Sequence, residues 1–151
     1  IENAHIGVES RKLKHVLNAY QPYGRSYLEL PPSFHNGALG DKGIHLTAQN
    51  LWNWFEALKN NKSLTQSSVE KMFNLDNYKY YNYGMGFRTR LRYDGQLEIY
   101  HDGLWDGFRN GIHYYPEDDL TIIVLSHTQN KNKTHFQNYL KNQAISMTDE
   151  L

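Results

Sequence analysis

From Ile99 to His127 the sequence alternates short strand-forming runs with glycine and acidic breaks. Ile99-Tyr100-His101-Asp102-Gly103 leads through Leu104-Trp105-Asp106-Gly107 to a run from Phe108 to Tyr115. Pro116-Glu117-Asp118-Asp119 then marks a turn before Leu120-Thr121-Ile122-Ile123-Val124-Leu125. This pattern predicts three short strands, the first with a His-Asp-Gly triplet at its end. The last run is continuous and β-branched, the signature of a central strand buried on both faces.

The residues upstream extend the sheet. From Tyr83 the apolar period is two: Tyr83, Met85, Phe87, Thr89 and Leu91 share one face and Arg88, Arg90 and Arg92 the other. Asp94-Gly95 is a hairpin signal, and Leu97 to His101 is the return. Before this lie two helical patterns. Thr47 is placed to cap a helix whose buried stripe is Leu51, Trp52, Phe55 and Leu58, ended by Asn60-Asn61-Lys62. Thr65 caps a shorter helix with Val69, Met72 and Phe73 on one face, and Asp76 to Asn82 is a tyrosine-rich loop. Thr134 to Met147 forms a terminal helix on the sheet through Phe136, Tyr139, Leu140 and Ile145. Residues 1–32 lack a clean period. Lys12 to Ala19 fits a short helix or a strand, Tyr20 to Gly24 reads as a turn, and Pro31-Pro32 excludes helix. That segment reads as surface wrapping. The expected class is α+β: an antiparallel sheet of about four strands with helices packed on it.

Composition narrows the function. The 12 Tyr, 6 Phe and 3 Trp supply buried area that a hydrophobic fraction of 39% alone would not. Sixteen basic residues balance sixteen acidic ones without a charged block, which argues against a nucleic-acid partner. Cysteine is absent, so disulfides and thiolate metal sites are excluded. No apolar run approaches the ~20 residues of a membrane span.

Three blocks, in order, resemble the C-terminal portion of the serine β-lactamase and penicillin-binding-protein superfamily, in its class C β-lactamase, D-Ala-D-Ala carboxypeptidase and esterase branch. Gly40-Asp41-Lys42-Gly43-Ile44 through Thr47-Ala48-Gln49-Asn50-Leu51 is similar to that family's glycine loop and helix start, with Asn50 where Asp is usual. Tyr83-Gly84-Met85-Gly86-Phe87 is similar to its Tyr-Gly-x-Gly-aromatic strand. His101-Asp102-Gly103 with Gly107-Phe108, running into Tyr114-Tyr115-Pro116 and Ile122 to Ser126, is similar to its third motif and the strands after it. The resemblance implies residues 1–151 are one partial domain whose N-terminal part, with the Ser-x-x-Lys nucleophile, is absent. It implies acyl transfer on a β-lactam, a D-amino-acid peptide or a small ester, with no cofactor and no metal, in an extracytoplasmic or periplasmic setting. It further implies that His101 presents polarity or positive charge to substrate, Gly103 gives clearance, and the Leu104 N–H serves as an oxyanion donor. Asp102 and Trp105 are the substrate-binding candidates.

Two further patterns compete. Ser68-Val69-Glu70-Lys71 fits Ser-x-x-Lys and Tyr80-Tyr81-Asn82 fits Tyr-x-Asn. Yet 8 serines and 10 lysines in 151 residues supply about half of one such match by chance. Ser68 also follows the glycine loop, where the family's nucleophile precedes it, and a lysine base needs deep burial. The pair is rejected as catalytic. Among the eight histidines, His101, His113 and His127 could meet across adjacent strands, but no close metal-ligand spacing occurs. An alternative function is a non-catalytic ligand-binding or regulatory module on the same fold. The expected partners are the remainder of its own chain and a small-molecule or peptide substrate, with self-association of the isolated piece through exposed apolar surface.

Overall fold

The computed structural model describes residues 4–7, 16–31, 40–73, 83–93, 95–129 and 133–148. Among them the chain runs β1 (His5–Ile6), β2 (Ala19–Tyr23), β3 (Ser26–Leu30), β4 (Ile44–His45), α1 (Ala48–Lys59), α2 (Gln66–Phe73), β5 (Arg88–Leu91), β6 (Leu97–Trp105), β7 (Phe108–Tyr115), β8 (Leu120–Ser126) and α3 (Lys133–Thr148). Strands β5 to β8 form an antiparallel sheet in sequential order, while β1 pairs with β4 and β2 with β3. The α+β architecture expected from the sequence is the one observed.

Local chemistry sets the helices. The Thr47 hydroxyl accepts the Asn50 N–H at 3.1 Å, satisfying one free donor at the start of α1. At the other end the Asn60 side-chain amide donates to the Glu56 carbonyl at 2.8 Å, and Asn61 turns the chain out with φ +59°. Thr65 does the same work for α2, accepting the Ser68 N–H at 3.3 Å. Both helices lay their apolar faces on one side of the sheet. Phe55, Leu58 and Val69 pack there with Phe87, Ile99 and Ile112. Phe55 lies at the centre, its ring 5.8 Å from Phe87 and 5.3 Å from Tyr114. Such aromatic pairs add about 0.5–1.5 kcal/mol each beyond the area they bury. Trp52, expected in this stripe, is 44% exposed; Trp54 instead stacks on Phe87 at 6.4 Å. Side chains three and four residues apart define the buried face, and Leu51, Phe55 and Leu58 already fill it.

Several elements differ from expectation. The Tyr83–Leu91 run is not one strand. Gly86, at φ +89°, and a 2.6 Å bond from the Gly84 N–H to the Phe87 carbonyl fold Tyr83 to Phe87 into a tight turn, so β5 starts at Arg88. Met85 and Leu91 are exposed, and Phe87 and Thr89 carry the buried face. Of the run Tyr20 to Gly24, Tyr20 to Tyr23 are strand rather than turn. They pair residue for residue with β3, and only Gly24 and Arg25 make the bend. Of Lys12 to Ala19, residues 12–15 lie outside the described residues, as do Asp76 to Asn82, Gly37, Ala38 and Leu39. Strand β8 is not central but lies at the end of the strand order among the described residues. Its β-branched run is explained by contacts with both α1 and α3, which half-bury every residue in it. The terminal helix forms and meets β8, with Leu140 and Ile145 half-buried, but Tyr139, expected on its packed face, is 55% exposed, and the Phe136 side chain lies outside what is described.

The largest departure concerns the His-Asp-Gly triplet. Strand β6 does not stop there; it continues to Trp105, which pairs with Phe108. The reversal is made by Asp106 and Gly107 alone, at φ +40° and +84°, the two left-handed residues that a tight two-residue hairpin requires. This tip is wedged against the β2–β3 hairpin, which is tied to the end of β8 by Tyr20 N–H to the His127 carbonyl at 2.8 Å. A Cβ on Gly107 would lie 2.9 Å from Leu30 Cδ1, 3.0 Å from Ala19 Cβ and 3.1 Å from the Tyr20 carbonyl oxygen. Backbone strain and collision therefore add. Gly107→Ala is expected to lose about 2–4 kcal/mol of stability in denaturant unfolding; an unchanged midpoint would contradict this packing.

Candidate active site

Strand alternation assigns the residues of β6 to two faces. Ile99 belongs to the core, so His101, Gly103 and Trp105 share its side, toward α1 and α2. Glu98, Tyr100, Asp102 and Leu104 take the other side. Strand β5 pairs only as far as Tyr100, so from His101 onward β6 has a strand neighbour, β7, on one edge alone among the described residues.

A cleft of about 450 Å³ lies at the end of the β6–β7 hairpin. Residues 40–45 form one wall, and Gly103, Leu104, Trp105, Phe108 and Asn110 form the other. The loop is shaped by Gly40 and Gly43, at φ +106° and +86°, and fastened by the Gly7 N–H donating to the Gly43 carbonyl at 2.8 Å. His45 sets its ring edge on Phe108 at 6.2 Å. Lys42 pairs with Asp41 and holds its ammonium 4.4 Å from the Trp105 ring centroid, a cation–π contact across the cleft. Leu104 and Trp105 are exposed, and a Cβ built on Gly103 would meet nothing within 4 Å. Trp105, expected in a loop, is the last residue of β6 and lines the cleft.

His101 lies two residues before Gly103 on the same face, outside the cleft lining. Its Nε2 is 2.8 Å from the Tyr83 hydroxyl, and the two rings meet edge-on at 5.7 Å. Burial and then the nearby Arg88 charge push the imidazole pKa below its usual value, opposed by Asp102. These neighbours favour the neutral ring over the imidazolium. Asp102 points to the opposite face. Its Oδ1 lies 3.2 Å from His113 Nε2, so the carboxylate is not part of the cleft.

That opposite face holds a polar cluster that sequence reasoning missed. Glu98 is 2% exposed, with His113 Nδ1 at 2.7 Å, the Tyr115 hydroxyl at 3.2 Å, Arg90 Nε at 2.5 Å and Lys141 Nζ at 3.8 Å. Burial alone would raise its pKa, but the His113 and Arg90 contacts win and hold it at about 2. Tyr115 is pushed the other way, above the usual phenol range, by burial and by Glu98. The phase of Arg90 and Arg92 along β5 was legible in the sequence; Glu98 opposite Arg90 was the available signal.

The other candidates do not assemble. Ser68 is half-buried and bonds the Thr65 hydroxyl at 2.9 Å, and Lys71 is exposed, without the burial a lysine base needs. Tyr80 to Asn82 lie outside the described residues. His101 and His113 are on opposite faces of the sheet, and His127 packs edge-on against Tyr20 at 5.8 Å. Among the described residues no group of three or more His, Cys, Asp or Glu could hold a metal ion, and no helix is long and apolar enough to cross a membrane.

The sign of the Glu98 effect is testable. A carboxylate whose folded pKa is depressed stabilises the fold above its unfolded value of 4.5, and that stabilisation is lost as pH falls toward about 2. Acid unfolding is expected to include a component in this window. Glu98→Gln should remove that component and cost about 3–5 kcal/mol at pH 7, because it leaves the buried His113 without the carboxylate it is bonded to. Urea titrations of both proteins from pH 7 to pH 2 measure it; parallel stability curves would contradict the assignment.

Comparisons with known proteins identify the family and the fold. The family model described as Beta-lactamase matches residues 1–145. The crystal structure of a penicillin binding protein from Bacillus halodurans superposes with a TM-score of 0.72 at 13% identity, over 96% of this chain. The chain spans 45% of that protein's length. No curated protein matches the sequence. The fold, the order of the blocks and the family match lead to one conclusion: this chain belongs to the beta-lactamase family.

Proposed function

We propose that this chain forms the strand-side wall of the active cleft of a serine hydrolase. On this reading it is the C-terminal portion of the catalytic domain, and the nucleophile lies outside these residues. The observation that carries it is the unobstructed space in front of Gly103, on a stretch of β6 that has, among the described residues, a strand neighbour on one edge alone. An acyl-transfer substrate must lay a polar backbone along a fixed edge and place its carbonyl before oriented N–H donors. Gly103 gives the clearance, the Leu104 N–H is the proposed oxyanion donor, and Trp105 is the wall held by Lys42. His101, bonded to Tyr83, keeps the base of that strand polar.

On this reading a serine hydroxyl attacks the substrate carbonyl, and its proton passes to a base beside it. The oxyanion that forms is held by the strand N–H until the leaving group departs with a proton. The acyl-enzyme is then hydrolysed by water. The similar structure is named for a protein that binds penicillin, which favours a β-lactam. A D-amino-acid peptide or a small ester is the other carbonyl compound of the same reaction class. The first partner is the remainder of the chain's own polypeptide, and the isolated piece is expected to self-associate through the apolar surface that partner would cover.

Two measurements test this. The 151-residue chain alone is expected to hydrolyse nitrocefin and p-nitrophenyl esters no faster than buffer; saturable turnover blocked by serine reagents would overturn the placement of the nucleophile elsewhere. In the intact protein, Gly103→Ala is expected to leave unfolding within about 0.5 kcal/mol of the parent, since the new methyl meets nothing. It should lower kcat/KM by roughly 10–100-fold by displacing the substrate from the edge. Unchanged kinetics would remove Gly103 from the site.

A further inference from the structure

The back of β6 carries a cluster that the acyl-transfer reading does not use. Asp102 lies between His101 and Gly103, yet its side chain crosses the opposite face to His113 on β7. The cross-strand partner of Asp102 is Gly111. A Cβ there would lie 2.8 Å from Asp102 Oδ1 and 2.9 Å from His113 Nε2, so only glycine leaves the path open. The His113 ring is 3% exposed and is stacked on Tyr100 at 5.5 Å with an interplanar angle of 3°. Its Nδ1 is 2.7 Å from Glu98 and its Nε2 is 3.2 Å from Asp102. Ionised carboxylates only accept hydrogen bonds, so both ring nitrogens must donate, and an imidazole that donates twice is an imidazolium.

We propose that His113 is a positioning residue, a protonated clasp between Glu98 and Asp102 that holds the backbone of β6 from His101 to Gly103 in place behind the cleft. The proposal rests on the reading of that cleft as the substrate site, but the clasp itself does not. Every charged neighbour bears on the balance. Glu98 and Asp102 on β6 favour the charged ring. Arg90 on β5 opposes it but is engaged by the second oxygen of Glu98. Lys141 on α3 opposes it too, and burial lowers the pKa of that ammonium. Tyr115, on β7 with His113, donates to Glu98 and adds no charge. Burial disfavours the imidazolium, yet the two carboxylates prevail and raise its pKa above 6.5. As pH rises through that raised value, the proton leaves to solvent. One of the two bonds is then lost. The more exposed partner, Asp102, is the one released.

The test uses the full chain and no substrate. Carbon and nitrogen NMR of the His113 ring gives its titration and tautomer, while hydrogen exchange at the Gly103 amide, in the stretch of β6 paired with β7, reports the strand. Below its pKa the ring should show two protonated nitrogens, with titration above 6.5. The protection factor at that amide, corrected for intrinsic exchange, should fall about tenfold across that titration. Asp102→Asn, a half-exposed and nearly isosteric change, should shift the titration down and abolish the step. A singly protonated ring at pH 6, or a Gly103 amide indifferent to the titration in the folded protein, would overturn the clasp. A cleft that binds nothing would leave the clasp standing, so the two readings fail separately.

Discussion

Alternation along one strand governs this molecule. Strand β6 sends Ile99, His101, Gly103 and Trp105 to one side and Glu98, Tyr100, Asp102 and Leu104 to the other. A shift of one residue would put Glu98 into the aromatic core and expose Ile99. The register is therefore fixed from both faces, and so is the position of Gly103 at the cleft. The Asp106–Gly107 reversal completes the constraint, since a two-residue hairpin leaves the pairing of β6 with β7 no slack.

The two faces hold the strand by different means. The front is apolar: Phe55, Phe87, Ile99 and Ile112 gain from removal of surface from water, an effect without direction. The back is ionic and directional. A buried carboxylate costs several kcal/mol to desolvate, which the attraction of its partners only offsets when the geometry is good. Glu98 meets that condition with three hydrogen bonds from His113, Tyr115 and Arg90. Such a cluster adds little net stability over an apolar one. What it does specify is the position of its members, here to β6, β7 and β5 at once.

Much of this was legible in the sequence because it depended on local chemistry. Thr47, Thr65 and the stripe through Phe55 and Leu58 report helices by spacing, and the antiparallel order of β5 to β8 follows from the short turns between them. What failed depended on partners far away in the chain. The Met85 face looked like strand until the glycines on either side, Gly84 and Gly86, folded it into a turn. The run from Leu120 looked central because two helices, not two strands, cover it. Asp102 looked like a substrate ligand because a triplet motif gives no face, and only the register opposite Gly111 reveals where its carboxylate goes.

The central claim is that the exposed backbone at Gly103 and Leu104 cradles a carbonyl under attack by a serine from elsewhere in the polypeptide. A crystal structure of the intact protein with a phenylboronic acid, which mimics the tetrahedral intermediate, tests it most directly. The account expects boron bonded to a serine oxygen, one boronate oxygen about 2.7–3.1 Å from the Leu104 nitrogen, and the ring lying between Gly103 and Trp105. A boronate seated away from this strand, or bonded to Ser68, would contradict it.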